Sequence, residues 1–249
     1  MDYQFNLPIS DSFAVGERKE ISKTTANDSY FIVEKLVAYY DGAFKCLPRD
    51  TAVSNNWANI MVRAENLFGT AQFPNKLKTP IVLPPASTVT FDIQNLYVDP
   101  ANPTAANYIQ ISLEGYRCYG VAPKYNKRFY VNAVDFAIPA SGMADATLAI
   151  SALGDFDVHK MIRYADGQAE VRMSASSLSG RQLSDGLVRI DNIFGNALSP
   201  NVIKHPYTLV ANSIIQVYAL NKETSVNNIQ LCFEGAIKLA GAGATPEVI

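Results

Sequence analysis

The chain contains itself twice. Val62-Arg63-Ala64-Glu65-Asn66-Leu67-Phe68-Gly69 returns as Val188-Arg189-Ile190-Asp191-Asn192-Ile193-Phe194-Gly195, 126 positions later. The same spacing carries Pro74 to Pro200, Lys78 to Lys204, Pro80 to Pro206, Leu83 to Leu209, Ser87 to Ser213 and Asn95 to Asn221. Ile109-Gln110-Ile111-Ser112-Leu113-Glu114-Gly115 then matches Ile229-Gln230-Leu231-Cys232-Phe233-Glu234-Gly235 at a spacing of 120. The first copy therefore holds six extra residues in the loop between these blocks, within Tyr97 to Asn107, where Pro100 and Pro103 stand. With 249 residues in all, each copy is long enough to bury a core of its own.

The repeated unit reads as β structure. Tyr108 to Tyr116 alternates apolar and polar residues, as does Val89-Thr90-Phe91-Asp92-Ile93-Gln94, so each strand has one buried and one wet face. Ile81-Val82-Leu83 and the strand after it are separated by Pro84-Pro85, which cannot donate to a ladder and falls at a turn. Several short strands with Pro and Gly turns per copy give an all-β fold of two tandem jelly-roll (Greek-key) β-sandwiches, expected side by side across a short linker. The immunoglobulin type of sandwich is disfavoured. Its Cys…Trp…Cys spacing is absent, and the single tryptophan, Trp57, has no partner in the second copy.

Phe31-Ile32-Val33 and Phe129-Tyr130-Val131 pair as the first strands of the two copies, at a spacing of 98. On that pairing the second copy carries a 28-residue insertion within 138–187. Thr147 to Ile150 and Val171 to Met173 are short strands within it, and Asp157 to Tyr164 a short helix. Residues 1–28 are polar and fit either a first strand with a loop or an arm reaching a neighbouring subunit. The resulting division is an N-terminal arm (1–28), a first sandwich (29–120), a linker (121–127), a second sandwich with the insertion (128–241) and a flexible tail (242–249).

Composition narrows the class. The chain is 48% hydrophobic and 18% charged with a net charge of −2, which is globular and offers no dedicated nucleic-acid surface. Its N-terminus shows no apolar signal region, and no stretch reaches the length of a membrane span. A protein made in the cytoplasm and kept in solution is expected. Cys46, Cys118 and Cys232 occupy unrelated repeat positions without CxxC spacing, which predicts three free thiols.

Signatures of catalysis are missing: there is no G-x-S-x-G elbow, P-loop, H-E-x-x-H or EF-hand loop. The expectation is a protein with no enzymatic activity and no cofactor. His205, before Pro206, reads as an exposed loop residue. The sharpest candidate for chemistry is a weak metal site, Asp155, Asp157 and His159, which share a face if the segment is extended. Glu114 and Glu234 recur before Gly115 and Gly235, and their repetition points to a structural place at a strand end. Phe68-Gly69 and Phe194-Gly195 read as a buried aromatic followed by a glycine at positive φ. The many tyrosines, Tyr39, Tyr40, Tyr97, Tyr108, Tyr116, Tyr119 and Tyr125 in the first half, suit a carbohydrate-binding tandem β-sandwich or a subunit contact equally.

The order of motifs carries a resemblance. It runs from Asp28-Ser29-Tyr30-Phe31-Ile32-Val33 through Val-Arg-x-x-Asn-x-Phe-Gly and Pro…Lys-x-Pro to a strand with Ser87 or Ser213, and ends on Ile-Gln-x-x-x-Glu-Gly. With Arg181-Gln182-Leu183-Ser184-Asp185-Gly186, it resembles bacteriophage virion structural proteins, in particular double jelly-roll capsid proteins, over most of residues 28–241. The resemblance implies a homotrimer or larger ring whose sandwiches form a tile, with projecting loops, arms that tie neighbours, and contacts to other virion proteins. Accessory head, collar and tail proteins of tailed phages share such units and are the alternative.

Overall fold

The computed structural model describes residues 3–51, 55–120, 126–178, 183–196 and 198–239. Two compact units divide the chain, Met1–Lys124 and Tyr125–Ile249. Unit 1 contains β1 (Tyr3–Phe13), β2 (Arg18–Thr24), β3 (Tyr30–Tyr40), β4 (Phe44–Asp50), β5 (Asn55–Asn56), β6 (Val62–Arg63), a single helical turn α1 (Ala64–Leu67), β7 (Asn75–Leu83), β8 (Thr88–Asn95) and β9 (Asn107–Cys118). Unit 2 contains β10 (Lys127–Ile138), β11 (Met143–Ala149), β12 (Phe156–Ala165), β13 (Ala169–Ala175), β14 (Val188–Arg189), the turn α2 (Ile190–Ile193), β15 (Asn201–Leu209), β16 (Ile214–Asn221) and β17 (Asn227–Lys238).

In unit 1 the sheets run β1-β9-β3-β7 and β2-β8-β4-β5, with β6 also on β4. In unit 2 they run β10-β17-β12-β15 and β11-β16-β13-β14. All pairings between these strands are antiparallel. Setting aside the two-residue β5, each unit places its first, eighth, third and sixth strands in one sheet. Its second, seventh, fourth and fifth make the other, which is the jelly-roll order. The expected fold class is therefore the observed one. In unit 2 the core between the sheets holds Ile138, Phe156, Val158, Val171, Phe194, Val217, Leu231 and Phe233. In unit 1 the buried rings of Trp57, Phe68 and Phe91 meet at centroid distances of 6.0 and 6.1 Å. The Trp57 indole N–H donates to buried Asp50 at 2.7 Å, which satisfies both polar groups.

The register settles which strands are equivalent, and it corrects the expected boundaries. Gly115 lies opposite Phe5 and Val33, and Gly235 opposite Tyr130 and Val158. So β1 matches β10 and β3 matches β12, at a spacing of 125. Phe129 belongs to the first strand of unit 2, whose counterpart lies in the segment 1–28. From Tyr3 onward that segment is not an arm: Tyr3–Phe13 pairs with β9 and Arg18–Thr24 with β8. Leu7, Ile9 and Phe13 are buried, while Pro8, Ser10 and Ser12 face out. The 28-residue insertion likewise dissolves into β11, β12 and β13, which match β2, β3 and β4. Thr147 and Val171 to Met173 lie in β11 and β13, as expected. Asp157 to Tyr164 is strand rather than helix, because β17 and β15 hydrogen-bond it on both sides. The six-residue difference stands: eleven residues, 96–106, join β8 to β9, against five, 222–226, between β16 and β17. Most of the proposed linker and the whole tail lie outside the described residues.

Two glycine pairs show what holds the repeat in place. β3 and β12 each carry a bulge, at Val33/Lys35 and Val158/Lys160. There the backbone carbonyl of Ile32 would lie 1.8 Å from a Cβ on Gly115, and that of Asp157 1.9 Å from one on Gly235. Only a residue without Cβ lets the strands close. Gly69 and Gly195 are also required by close approach and not, as expected, by positive φ. A Cβ would meet the carbonyl oxygen of Phe73 at 2.0 Å or of Ser199 at 2.1 Å.

Candidate functional site

The residues singled out for chemistry serve the frame. Asp155 precedes β12 and accepts the backbone N–H of Ala211 at 3.0 Å. Asp157 lies on β12, accepts the Thr208 hydroxyl at 2.6 Å and sits 3.0 Å from the Lys238 ammonium and 3.6 Å from that of Lys127. Burial pushes the Asp157 carboxyl up, but the Thr208 and Lys238 hydrogen bonds and the two lysine charges outweigh it and leave it below the ordinary carboxylate range. His159 is buried at the bulge, which interrupts the period-two alternation that would have aligned it with Asp157. Among the described residues no group of three His, Cys, Asp or Glu side chains is placed to hold a metal ion. The weak metal site of Asp155, Asp157 and His159 is thus not assembled. His205 is exposed on β15.

Glu114 and Glu234 each face a lysine across the bulge: Glu114 to Lys35 at 3.6 Å, and Glu234 to Lys160 at 2.6 Å. The three cysteines are free, with Cys46 and Cys232 buried and Cys118 half-buried. Burial raises the Cys46 thiol well above its ordinary value, so it behaves as a small apolar residue.

A recess lies on the outward face of the β11-β16-β13 sheet. It is an open depression of about 450 Å³ lined by Asp145, Thr147, Arg172, Ser174, Gln216 and Tyr218. Strand pleating puts these six on one side, opposite Leu148, Val171, Met173 and Val217 in the core. The register sets them in two rows. Asp145, Tyr218 and Arg172 make one row, and Thr147, Gln216 and Ser174 the next. The Arg172 guanidinium lies 5.3 Å from the centroid of the Tyr218 ring, and the Tyr218 hydroxyl reaches the Met143 sulfur. Asp145 has no hydrogen-bonding or ionic partner among the described residues.

The matching face of unit 1 pairs its charges internally. Its two rows are Glu20, Asp92 and Leu47, then Ser22, Thr90 and Arg49. Arg49 reaches Glu20 at 2.7 Å, and Arg18 grips Asp92 through two hydrogen bonds of 3.0 and 2.6 Å. In unit 2 serine (Ser174) stands for Arg49, tyrosine (Tyr218) for Asp92 and methionine (Met143) for Arg18. The exchange of Arg49 for Ser174 removes the side chain that would pair with Asp145. No motif in the sequence marked this recess. The signal was the pair of differences between matched strands, legible only once β2 is set against β11 and β4 against β13.

No family model matches the chain, and no curated protein matches it. Among solved structures it is similar to the crystal structure of PBSX exported protein XepA, with 13% identity over 92% of this chain and 86% of that one, at a TM-score of 0.25. No helix among the described residues is long and apolar enough to cross a membrane.

Proposed function

We propose that the chain is a bacteriophage virion structural protein, a capsid building block that assembles with itself into homo-oligomeric tiles. The observation that carries this reading is the tandem of two complete jelly rolls with the same strand order, joined to the sequence resemblance described above. The role is structural rather than enzymatic, and the protein is made in the host cytoplasm and taken into the virion with other virion proteins. Because residues 3–24 belong to the sheets of unit 1, they are unavailable as a tether. Subunit contact then falls to the 96–106 loop, which is six residues longer than its counterpart in unit 2.

Native mass measurement with negative-stain microscopy of the purified chain tests the proposal. Trimers or tiles are expected. A strict monomer at high concentration overturns the reading. Discrete rings or tubes that do not tile would favour the alternative, an accessory head, collar or tail protein.

A further inference from the structure

We infer that the recess on the β11-β16-β13 face of unit 2 binds a neutral saccharide. The inference does not rest on the virion reading. A volume of about 450 Å³ falls within the usual range of small-ligand sites. A sugar presents a C–H face and a hydroxyl-rich edge. Tyr218 offers an aromatic ring for the first, and Asp145, Thr147, Ser174 and Gln216 offer hydroxyl, amide and carboxylate groups for the second.

Charge selects among ligand classes. An acidic ligand would meet the unpaired Asp145 carboxylate, and a cationic one the Arg172 guanidinium on the other side of Tyr218. An apolar ligand would strip water from six polar side chains without replacing their hydrogen bonds. A neutral polyol satisfies both charges by hydrogen bonding. Arg172 is already held over the Tyr218 ring, so little of its freedom remains to be lost on binding.

The duplication supplies the second line of argument. The same sheet in unit 1 satisfies its carboxylates internally, through Glu20 with Arg49 and Asp92 with Arg18. Unit 2 keeps the frame and the carboxylate at Asp145 but replaces the partner arginine by Ser174. A carboxylate kept without its partner, beside an aromatic side chain, is an arrangement for an external hydroxyl ligand.

The test uses the full chain with methyl glycosides and short oligomers of glucose, galactose, mannose, rhamnose and N-acetylglucosamine, read by saturation-transfer NMR and calorimetry. Saturable binding is expected for at least one probe. Tyr218→Ala should weaken it about tenfold, the weight of one stacking aromatic. Ser174→Arg, which restores the side chain found in unit 1, should abolish it while leaving circular dichroism and the melting temperature intact. Glu20→Gln in unit 1 should leave binding unchanged. The inference is overturned if no probe binds saturably, if binding survives Ser174→Arg, if Glu20→Gln weakens it as much as Tyr218→Ala, or if sialic or glucuronic acid binds as well as the neutral sugars.

Discussion

Lys160 and Glu234 lie 2.6 Å apart with side chains 8% and 3% exposed, whereas Lys35 and Glu114 lie 3.6 Å apart at 32% and 21%. The same two residue types on the same two strands therefore stand in different dielectrics. Removing one partner of the buried pair strands the other charge without water, at a cost of about 3–5 kcal/mol. Removing one partner of the exposed pair costs about 1 kcal/mol or less. Denaturant titration of Lys160→Met and Lys35→Met should show this contrast. Gly115→Ala and Gly235→Ala each drive a Cβ into a backbone carbonyl, with an expected loss on the order of 3 kcal/mol or more in either unit. The Asp157 carboxyl carries a pH dependence. Its folded-state value lies below the unfolded one, so its contribution to stability is complete above the ordinary carboxylate range and is lost as pH falls through the depressed value. Asp157→Asn should therefore lower stability at pH 7 and flatten its decline below about pH 4. Melting temperature against pH measures both effects.

At the scale of elements, the loop of 96–106 is the clearest asymmetry. Its ends are held by the frame: Asn95 donates to the carbonyls of Phe13 and Ala14, and Asn107 to Gly42 and to the Asn95 side chain. Asn221 and Asn227 repeat this brace in unit 2. Replacing 96–106 by the five residues 222–226 should leave the melting temperature within a few degrees, because loop-closure entropy varies slowly with length. The same replacement should disrupt assembly if the loop makes the subunit contact. The strands around these braces were legible in the sequence because Ile109 to Gly115 and Val62 to Gly69 repeat as blocks. The match of β3 to β12 was not, because Phe-x-Val occurs twice in unit 2, as Phe129-Tyr130-Val131 and as the true counterpart Phe156-Asp157-Val158, where Asp157 stands for Ile32, His159 for Glu34 and Met161 for Leu36. What they share is sparse. Lys35, Tyr39 and Asp41-Gly42 recur as Lys160, Tyr164 and Asp166-Gly167, where the tyrosine hydroxyl reaches the aspartate in each unit. An apolar strand says that it is buried, but many apolar sequences bury equally well. A polar brace has fewer substitutes, so it is the better marker of register. The recess at Tyr218 was illegible for a related reason. It is made by six side chains on three strands that approach only through the register.

For the whole molecule, each unit pairs its first strand with its last, β1 with β9 and β10 with β17. Neither first sheet is complete until about a hundred further residues have been made. The last strands share Asn107, Ile109, Gln110, Glu114 and Gly115 with Asn227, Ile229, Gln230, Glu234 and Gly235, so each could dock beside β1 or β10. Synthesis from the N-terminus removes the ambiguity, because β9 emerges and seals unit 1 before β17 exists. Refolding from denaturant offers both strands at once to both vacancies. Long-range β pairing is already slow, and here it must also choose between two partners with a shared Ile-Gln and Glu-Gly pattern. Refolded chain should reach the native state in lower yield than chain released from the ribosome, with a slow phase that vanishes when β17 is altered to disfavour β1. A duplicated jelly roll thus depends on the order in which its strands appear as well as on the residues they contain.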